Sequence, residues 1–230
     1  VSPTEVLATH LLEVLKNNLS RLLSMRGLRR LLDEFVNLSE PTRAEANRRL
    51  LAELVPDKVP VDLLLAVLRL LLEERVSIRN LPLILESIAE ARGAGTPEAI
   101  CEHVRQRLGF QLVAGLRRED GTISLIQLAP EWEKVFSTYQ IDGEKGQRDV
   151  ALPPDQFSKL ANNMAEKLNK AAENGLQPAM VTSSLRRRFI RTVLGARGLS
   201  TPVLSYEEIG LEARPALIGQ VPACLRFCKP

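Results

Sequence analysis

Two helices joined by a short polar link dominate the hydrophobic pattern of the chain. Residues 63–72 are apolar at every position except Arg69, and a helix that is apolar all round belongs in the centre of a helical domain. This run is too short to cross a bilayer, which needs roughly 20 apolar residues. Asn80 and Pro82 are typical of a helix start. The second helix then repeats apolar residues at helical spacing: Leu81, Ile84, Leu85 and Ile88.

The segments on either side of this pair also predict helices. Ser2, Pro3 and Glu5 have the residue types and spacing of a capping box, which opens the first helix. Further helical patterns cover the stretches 28–36, 43–55 and 99–108. Residues 1–108 are therefore predicted to be wholly helical.

The periodicity changes after residue 108. Two short β-type runs, 110–116 and 122–128, lie on either side of Asp120 and Gly121. Because Asp-Gly between two such runs is a strong turn signal, we predict a β-hairpin here. A short helix carrying Trp132 and a longer amphipathic helix ending before Gly175 follow.

The last third of the chain predicts parallel strands. A strand at 178–182, a helix at 185–194 and a strand at 202–206 follow each other with short links, which implies a parallel βαβ unit. Residues 216–221 are predicted to add one more strand. The fold class is therefore α+β: an N-terminal helical subdomain followed by a small α/β subdomain with a βαβ unit.

Composition narrows the functional classes only slightly. The 230 residues have a formal net charge of +3, with 31 basic and 28 acidic side chains, so no polyanionic partner is required. Cys101, Cys224 and Cys228 are odd in number and poorly spaced, which argues against a disulfide framework and fits a reducing compartment. We assign no role to Cys224 and Cys228. The start at Val1, without a methionine, indicates a fragment of a longer protein.

Catalysis, cofactors and metals have little support in the sequence. His10 and His103 are the only histidines, each lies in a helical pattern, and neither has an evident partner to orient it as a base. Cys101 and His103 are two residues apart and so do not share a helix face, which disfavours a metal site. No glycine-rich phosphate loop is present. We therefore predict no catalytic, cofactor or metal-binding residues, and a protein that is not an enzyme.

The densest charge cluster is Arg186-Arg187-Arg188 with Arg191. On a helical wheel Leu185 and Phe189 face the core, while Arg187, Arg188 and Arg191 point away from it. This pattern predicts a solvated outer face of the βαβ helix that meets an acidic neighbour. The alternative is a phosphate-contacting face, but no aromatic residues interleave for base stacking.

A winged-helix nucleic-acid-binding protein is the alternative functional class. Helices followed by a hairpin with Arg117 and Arg118 near its tip would supply a recognition helix and a wing. Glu86 and Glu90 on the helix at 81–91 argue against this alternative, because they would repel phosphates.

Several motifs resemble one known family. Residues 71–90 read Leu-Leu-Glu-Glu-Arg-Val-Ser-Ile-Arg-Asn-Leu-Pro-Leu-Ile-Leu-Glu-Ser-Ile-Ala-Glu, which is similar to the central cytoplasmic segment of the export-gate family of flagellar (FlhA) and injectisome (SctV) type III secretion. Residues 3–11, 104–109, 202–209 and 218–219 resemble further elements of that family, in the same order. The segment 209–221 looks more flagellar than injectisome-like.

The resemblance implies a domain organisation. Family members have an N-terminal membrane part and a cytoplasmic region of four subdomains. Residues 1–26 would be the terminal helix of a preceding subdomain, 27–108 the helical subdomain, 109–221 the α/β subdomain and 222–230 a tail. The full protein would lie in the bacterial inner membrane, with this soluble fragment on the cytoplasmic face.

The resemblance also implies a function and some site residues. The family's cytoplasmic regions form a ring, typically a nonamer, that docks chaperone–substrate complexes and helps set the order of protein export. Thr9 matches a position lining the family's chaperone-docking dimple. We expect charged residues around the central helices to contribute to subunit contacts: Arg69, Glu73, Arg75 and Glu86. The fragment alone is expected to be largely monomeric.

Overall fold

A computed structural model describes residues 2–143, 148–210 and 212–223, and the chain divides into two compact units, 1–108 and 109–230. The first unit is helical in its described residues. Its helices are α1 (Pro3–Asn17), α2 (Leu19–Leu22), α3 (Met25–Val36), α4 (Pro41–Leu54), α5 (Val61–Glu73), α6 (Leu81–Ala91) and α7 (Pro97–Arg107).

The helix predicted to be central is the centre of the first unit. Helix α5 buries five apolar side chains and packs against α2, α3 and α7, while α6 packs against α4 and α7. The buried residues of α5 are Leu64, Leu65, Val67, Leu68 and Leu71. Because apolar burial drives folding and α5 contributes so many buried leucines, this helix holds the unit together.

The predicted helix starts agree with the structure in part. Ser2 and Glu5 form the capping box at α1: the Glu5 N–H donates to Ser2 Oγ at 3.3 Å, and the Ser2 N–H donates to the Glu5 carboxylate at 2.7 Å. Asn80 occupies the N-cap position of α6, with Pro82 in the first turn, but its side chain makes no capping hydrogen bond.

The second unit contains four further helices and six strands in its described residues. The helices are α8 (Gly109–Ala114), α9 (Glu131–Thr138), α10 (Pro154–Glu173) and α11 (Ser184–Ala196). The strands are β1 (Thr122–Leu128), β2 (Gln140–Asp142), β3 (Arg148–Val150), β4 (Ala179–Thr182), β5 (Val203–Ser205) and β6 (Arg214–Val221).

The main sheet has the strand order β5-β4-β1-β6, and all its strands are parallel. The unit β4-α11-β5 is the predicted parallel βαβ, and β6 is the predicted additional strand, so the α+β fold class is confirmed. Strands β2 and β3 form a separate antiparallel pair. One face of the main sheet packs on α10 and α11, and the other on α8 and the segment around Ala213.

The hairpin predicted around Asp120 and Gly121 is wrong. Residues 109–114 form helix α8, and β1 pairs with β4 and β6, which are distant in sequence. The turn itself exists: Gly121 has a φ of 79°, and the Asp120 carboxylate accepts a 2.8 Å hydrogen bond from the Thr122 N–H. Without the hairpin, the wing that the winged-helix alternative needs is absent from this part of the described structure.

Within the described ranges, no helix is both long and apolar enough to cross a membrane. Cys224 and Cys228 lie outside the described residues, and Cys101 is buried.

Candidate docking and assembly surfaces

Helix α1 carries the largest group of uncovered apolar side chains. None of its fifteen residues is buried, although its sequence is apolar over much of its circumference. Leu7 is 68% exposed and Leu11 is 55% exposed, whereas a helix that packs on a core buries its apolar side. The other exposed apolar side chains of α1 are Val6, Leu12, Val14 and Leu15. Thr9 and His10 lie on this helix and are also exposed. The exposure of so much apolar surface marks a contact site.

Two of the four predicted contact residues, Arg69 and Arg75, already have partners inside the helical unit. The Arg69 side chain is half-buried, and its Nε donates to the Leu23 carbonyl at 2.9 Å, which holds the end of α2 against α5. The Arg75 guanidinium donates to Asn17 Oδ1 and lies 3.8 Å from the Glu13 carboxylate. Both arginines therefore connect α5 to the N-terminal helices.

The other two predicted contact residues, Glu73 and Glu86, are exposed and make no ion pair within the described residues. Glu73 is the last residue of α5, and Glu86 lies in the middle of α6. The helical unit therefore presents unpaired negative charge at these two positions. Exposed arginines on the same unit are likewise without an ion pair among the described residues: Arg21, Arg26, Arg29, Arg79 and Arg92.

His10 is exposed on α1, and His103 lies beside the carboxylate of Glu90. His103 Nε2 lies 3.0 Å from the Glu90 carboxylate, which also pairs with Arg107 at 3.4 Å. The hydrogen bond from His103, together with the charge of Arg107, lowers the pKa of Glu90 below its usual value of 4.5. Among the described residues, no three side chains of the kinds that bind metals are grouped together.

The predicted orientation of α11 is wrong for Arg187 and Leu185, while Arg188 and Arg191 are partly exposed. Arg187 is fully buried and Arg186 is 2% exposed, whereas Leu185, predicted to face the core, is 46% exposed. Burial is possible because both guanidinium groups meet carboxylates, and a buried charge needs such a partner. Arg186 Nη2 lies 2.7 Å from the Glu133 carboxylate, and Arg187 Nε lies 3.8 Å from that of Glu208.

Glu208 is an important residue that the sequence analysis missed. It is buried, it pairs with Arg187, and it closes a capping box with Ser205 at the end of β5. The spacing Ser205-x-x-Glu208 is the capping-box signature, and could have identified this residue from sequence. Gly109 packs directly on the Glu208 backbone. The short turn at Glu208 therefore follows β5, contacts α8 and pairs with Arg187 of α11.

The fold is thus α+β and has two compact units. Its most prominent surface is the exposed apolar side of α1. The chain belongs to the FHIPEP family, whose sequence model matches residues 1–214. The predicted family resemblance is therefore confirmed.

The relatives include flagellar and translocation proteins. The chain is 35% identical over 222 residues to the flagellar biosynthesis protein FlhA of Caulobacter vibrioides, covering 96% of this chain and 30% of the relative. It is 26% identical over 222 residues to FlhA of Bacillus subtilis, covering 96% of this chain and 32% of the relative. It is 28% identical over 221 residues to the probable translocation protein y4yR of Sinorhizobium fredii, covering 96% of this chain and 30% of the relative. The chain thus spans about a third of the length of these relatives.

Solved structures share the fold. The chain matches the nonameric SctV-C of EPEC with a TM-score of 0.77 at 19% identity, covering 92% of this chain and 61% of that one. It matches the CdsV protein of Chlamydia pneumoniae with a TM-score of 0.80 at 23% identity, covering 96% and 61%.

Proposed function

We propose that this chain is the C-terminal part of the cytoplasmic region of a type III export gate, where it builds a ring and docks chaperone–substrate complexes. The observation that carries the proposal is the family match over residues 1–214, together with a shared fold over nearly the whole chain. The full protein would be anchored in the bacterial inner membrane through a part that precedes this one. No chemical reaction is proposed for this region.

The flagellar branch is our preferred assignment. Identity is 35% to the Caulobacter FlhA, against 28% to the Sinorhizobium translocation protein and 30% to the hrpC2 protein of Xanthomonas euvesicatoria. The identity to the Caulobacter FlhA supports this assignment, whereas the identity to the FlhA of Bacillus subtilis, at 26%, is lower than either of the other two values.

Self-assembly is supported by the nonameric state named for two proteins of the same fold, EPEC SctV-C and the EscV cytosolic domain. We propose that Glu73 and Glu86 supply negative charge to the subunit contact, since neither has an ion-pair partner among the described residues. An exposed arginine of the neighbouring subunit is the expected partner, because a ring contact joins two different surfaces of the same chain. Arg69 and Arg75 stay predicted contact residues, although both are engaged within the unit.

Charge reversal tests this contact. In the complete cytoplasmic region, Glu86→Lys should weaken each subunit contact by about 1 kcal/mol, the upper range for an exposed ion pair. Sedimentation velocity over a range of protein concentrations would measure the shift in assembly. Glu119→Lys is the matched control, because Glu119 is an exposed carboxylate of the second unit. Equal assembly of the Glu86→Lys variant and the unmodified protein would remove Glu86 from the interface.

We also propose that α1 belongs to a preceding subdomain that covers its apolar side. The exposure of Leu7 and Leu11 supports this assignment, because a contiguous exposed apolar surface marks a contact site. Thr9 would then contribute to a chaperone-docking site shared with residues outside this chain. Further partners of the export apparatus are expected as well, since the CdsV protein of Chlamydia pneumoniae forms a complex with CdsO.

Binding measurements test the docking proposal. Fluorescence titrations at physiological salt would compare this chain, and a version extended to the complete cytoplasmic region, with two partners. These are a chaperone–substrate complex from the same export system and a random DNA duplex. We expect chaperone binding by the extended version only, and no DNA binding by either. Salt-sensitive DNA binding by this chain would instead support a nucleic-acid-binding protein.

A further inference from the structure

Arg75 has a backbone conformation that is unfavourable for its residue type. Among the described residues it is the one non-glycine residue with a positive φ, at 57°. It follows the end of α5, where the Arg75 N–H donates to the Leu72 carbonyl and the Val76 N–H donates to the Leu71 carbonyl. A helix end of this type normally has glycine at this position, because a Cβ is strained there. An arginine stays in this strained conformation only when the surrounding contacts hold it there.

The side chain of Arg75 reaches the C-terminal end of α1. Its Nη2 donates to Asn17 Oδ1 and lies 3.8 Å from Glu13 Oε2, one turn earlier on the same helix. A cation at this end is also favoured by the α1 dipole. The left-handed backbone at Arg75 thus accompanies a contact that glycine could not make.

Within the described part of this chain, few other contacts fix the direction of α1. None of its residues is buried, so apolar packing does not fix it. Asn18 follows the last residue of α1, its Nδ2 donates back to the Val14 carbonyl at 2.8 Å, and α2 begins at the next residue. Helix α2 itself is anchored, because Arg69 of α5 binds the Leu23 carbonyl. Asn18 is therefore a joint between a fixed helix and a helix without buried contacts.

We propose that Arg75, with Asn17 and Glu13, forms a latch that sets the direction of α1 relative to the helical unit. With the latch closed, α1 holds one orientation relative to the helical unit. With the latch open, α1 turns about Asn18 while the core of the unit stays folded. Because the contacts of Arg75 are polar and half-exposed, they can open without disturbing apolar packing. The latch would thus control how the apolar side of α1 is presented to its partner.

Distance measurements between spin labels on the whole chain test the latch. Thr4→Cys and Ala52→Cys place the labels on exposed positions of α1 and α4, in a chain with Cys224→Ser and Cys228→Ser. The buried Cys101 remains. We expect a single narrow distance distribution for the unmodified latch. Arg75→Gly should broaden it or add a second population without lowering the thermal unfolding midpoint, since glycine relieves the backbone strain.

Two more variants separate the latch from a local backbone effect. The double change Glu13→Gln and Asn17→Ala removes the partners and leaves Arg75 in place, and we expect it to broaden the distribution in the same way. Arg79→Ala is the matched control, because it removes an exposed arginine close in sequence that has no ion pair among the described residues. A narrow distribution in Arg75→Gly, or equal broadening in Arg79→Ala, would overturn the proposal.

Discussion

Gly109 is the position where the structure makes its sharpest prediction about stability. It is buried at the start of α8, and a Cβ added there would lie 2.3 Å from the Glu208 carbonyl oxygen and 3.1 Å from the carbonyl carbon. Both are backbone atoms of the turn that follows β5, so no flexible side chain can move aside. Gly109→Ala must therefore displace either α8 or the turn.

The size of the effect follows from two opposing terms. Overpacking in a well-packed interior costs about 1–3 kcal/mol, and the upper end applies because backbone has to move. Alanine recovers up to about 1 kcal/mol through its better helix propensity. We therefore expect Gly109→Ala to lower the free energy of unfolding of the second unit by about 2 kcal/mol.

Urea denaturation followed by tryptophan fluorescence measures this directly. Trp132 is the only tryptophan in the chain, and it is buried in the core of the second unit, so its signal reports the unfolding of that unit. Gly195→Ala is the matched control: Gly195 lies in α11, and a Cβ there meets nothing within 4 Å. The control should gain about 0.5–1 kcal/mol. A Gly109→Ala variant as stable as the unmodified chain would refute the close packing at Glu208.

Three further predictions test other parts of the structure. Leu68→Ala, in the fully buried centre of α5, should destabilise the helical unit by about 2–5 kcal/mol through lost apolar burial and a cavity, as measured by thermal unfolding followed by circular dichroism. Glu208→Ala should cost the second unit about 3–5 kcal/mol in the same tryptophan assay, because the charge of Arg187 stays buried without this partner. His103 lowers the pKa of Glu90, so the Glu90 carboxylate stabilises the fold above pH 4.5, and this contribution is lost as the pH falls below that value. In a plot of unfolding free energy against pH, Glu90→Gln should therefore flatten the acid side.

The helical half could be read from the sequence because its signals are local. The apolar run of α5 and the capping box at Ser2 both involve neighbouring residues, and each predicts a helix by itself. The βαβ unit was equally accessible, because two short strands with one helix between them leave few topologies.

The errors in the second unit arose where distant residues decide the structure. The run 110–116 is short and apolar, a pattern that does not distinguish a strand from a buried helix. Leu112, Val113 and Leu116 pack on the sheet as a helix end, while β1 takes its partners from β4 and β6. No local pattern contains that pairing.

The arginine cluster shows the same limit for side chains. A helical wheel places charges outside because burial of an unpaired charge is costly. Arg186 and Arg187 are buried because Glu133 and Glu208 lie beside them in the fold, more than 15 residues away along the chain. Likewise, the partners of Arg69 and Arg75 lie at the end of α2 and on α1, and only the folded structure brings them together.

We infer that this chain is the ring-building part of an export gate. Native mass spectrometry of the complete cytoplasmic region, at increasing protein concentration, tests it most directly. We expect a closed assembly of nine subunits, as named for EPEC SctV-C and for the EscV cytosolic domain, and a shift toward smaller species on charge reversal at Glu86. A complete cytoplasmic region that stays monomeric at the highest concentration would contradict the claim.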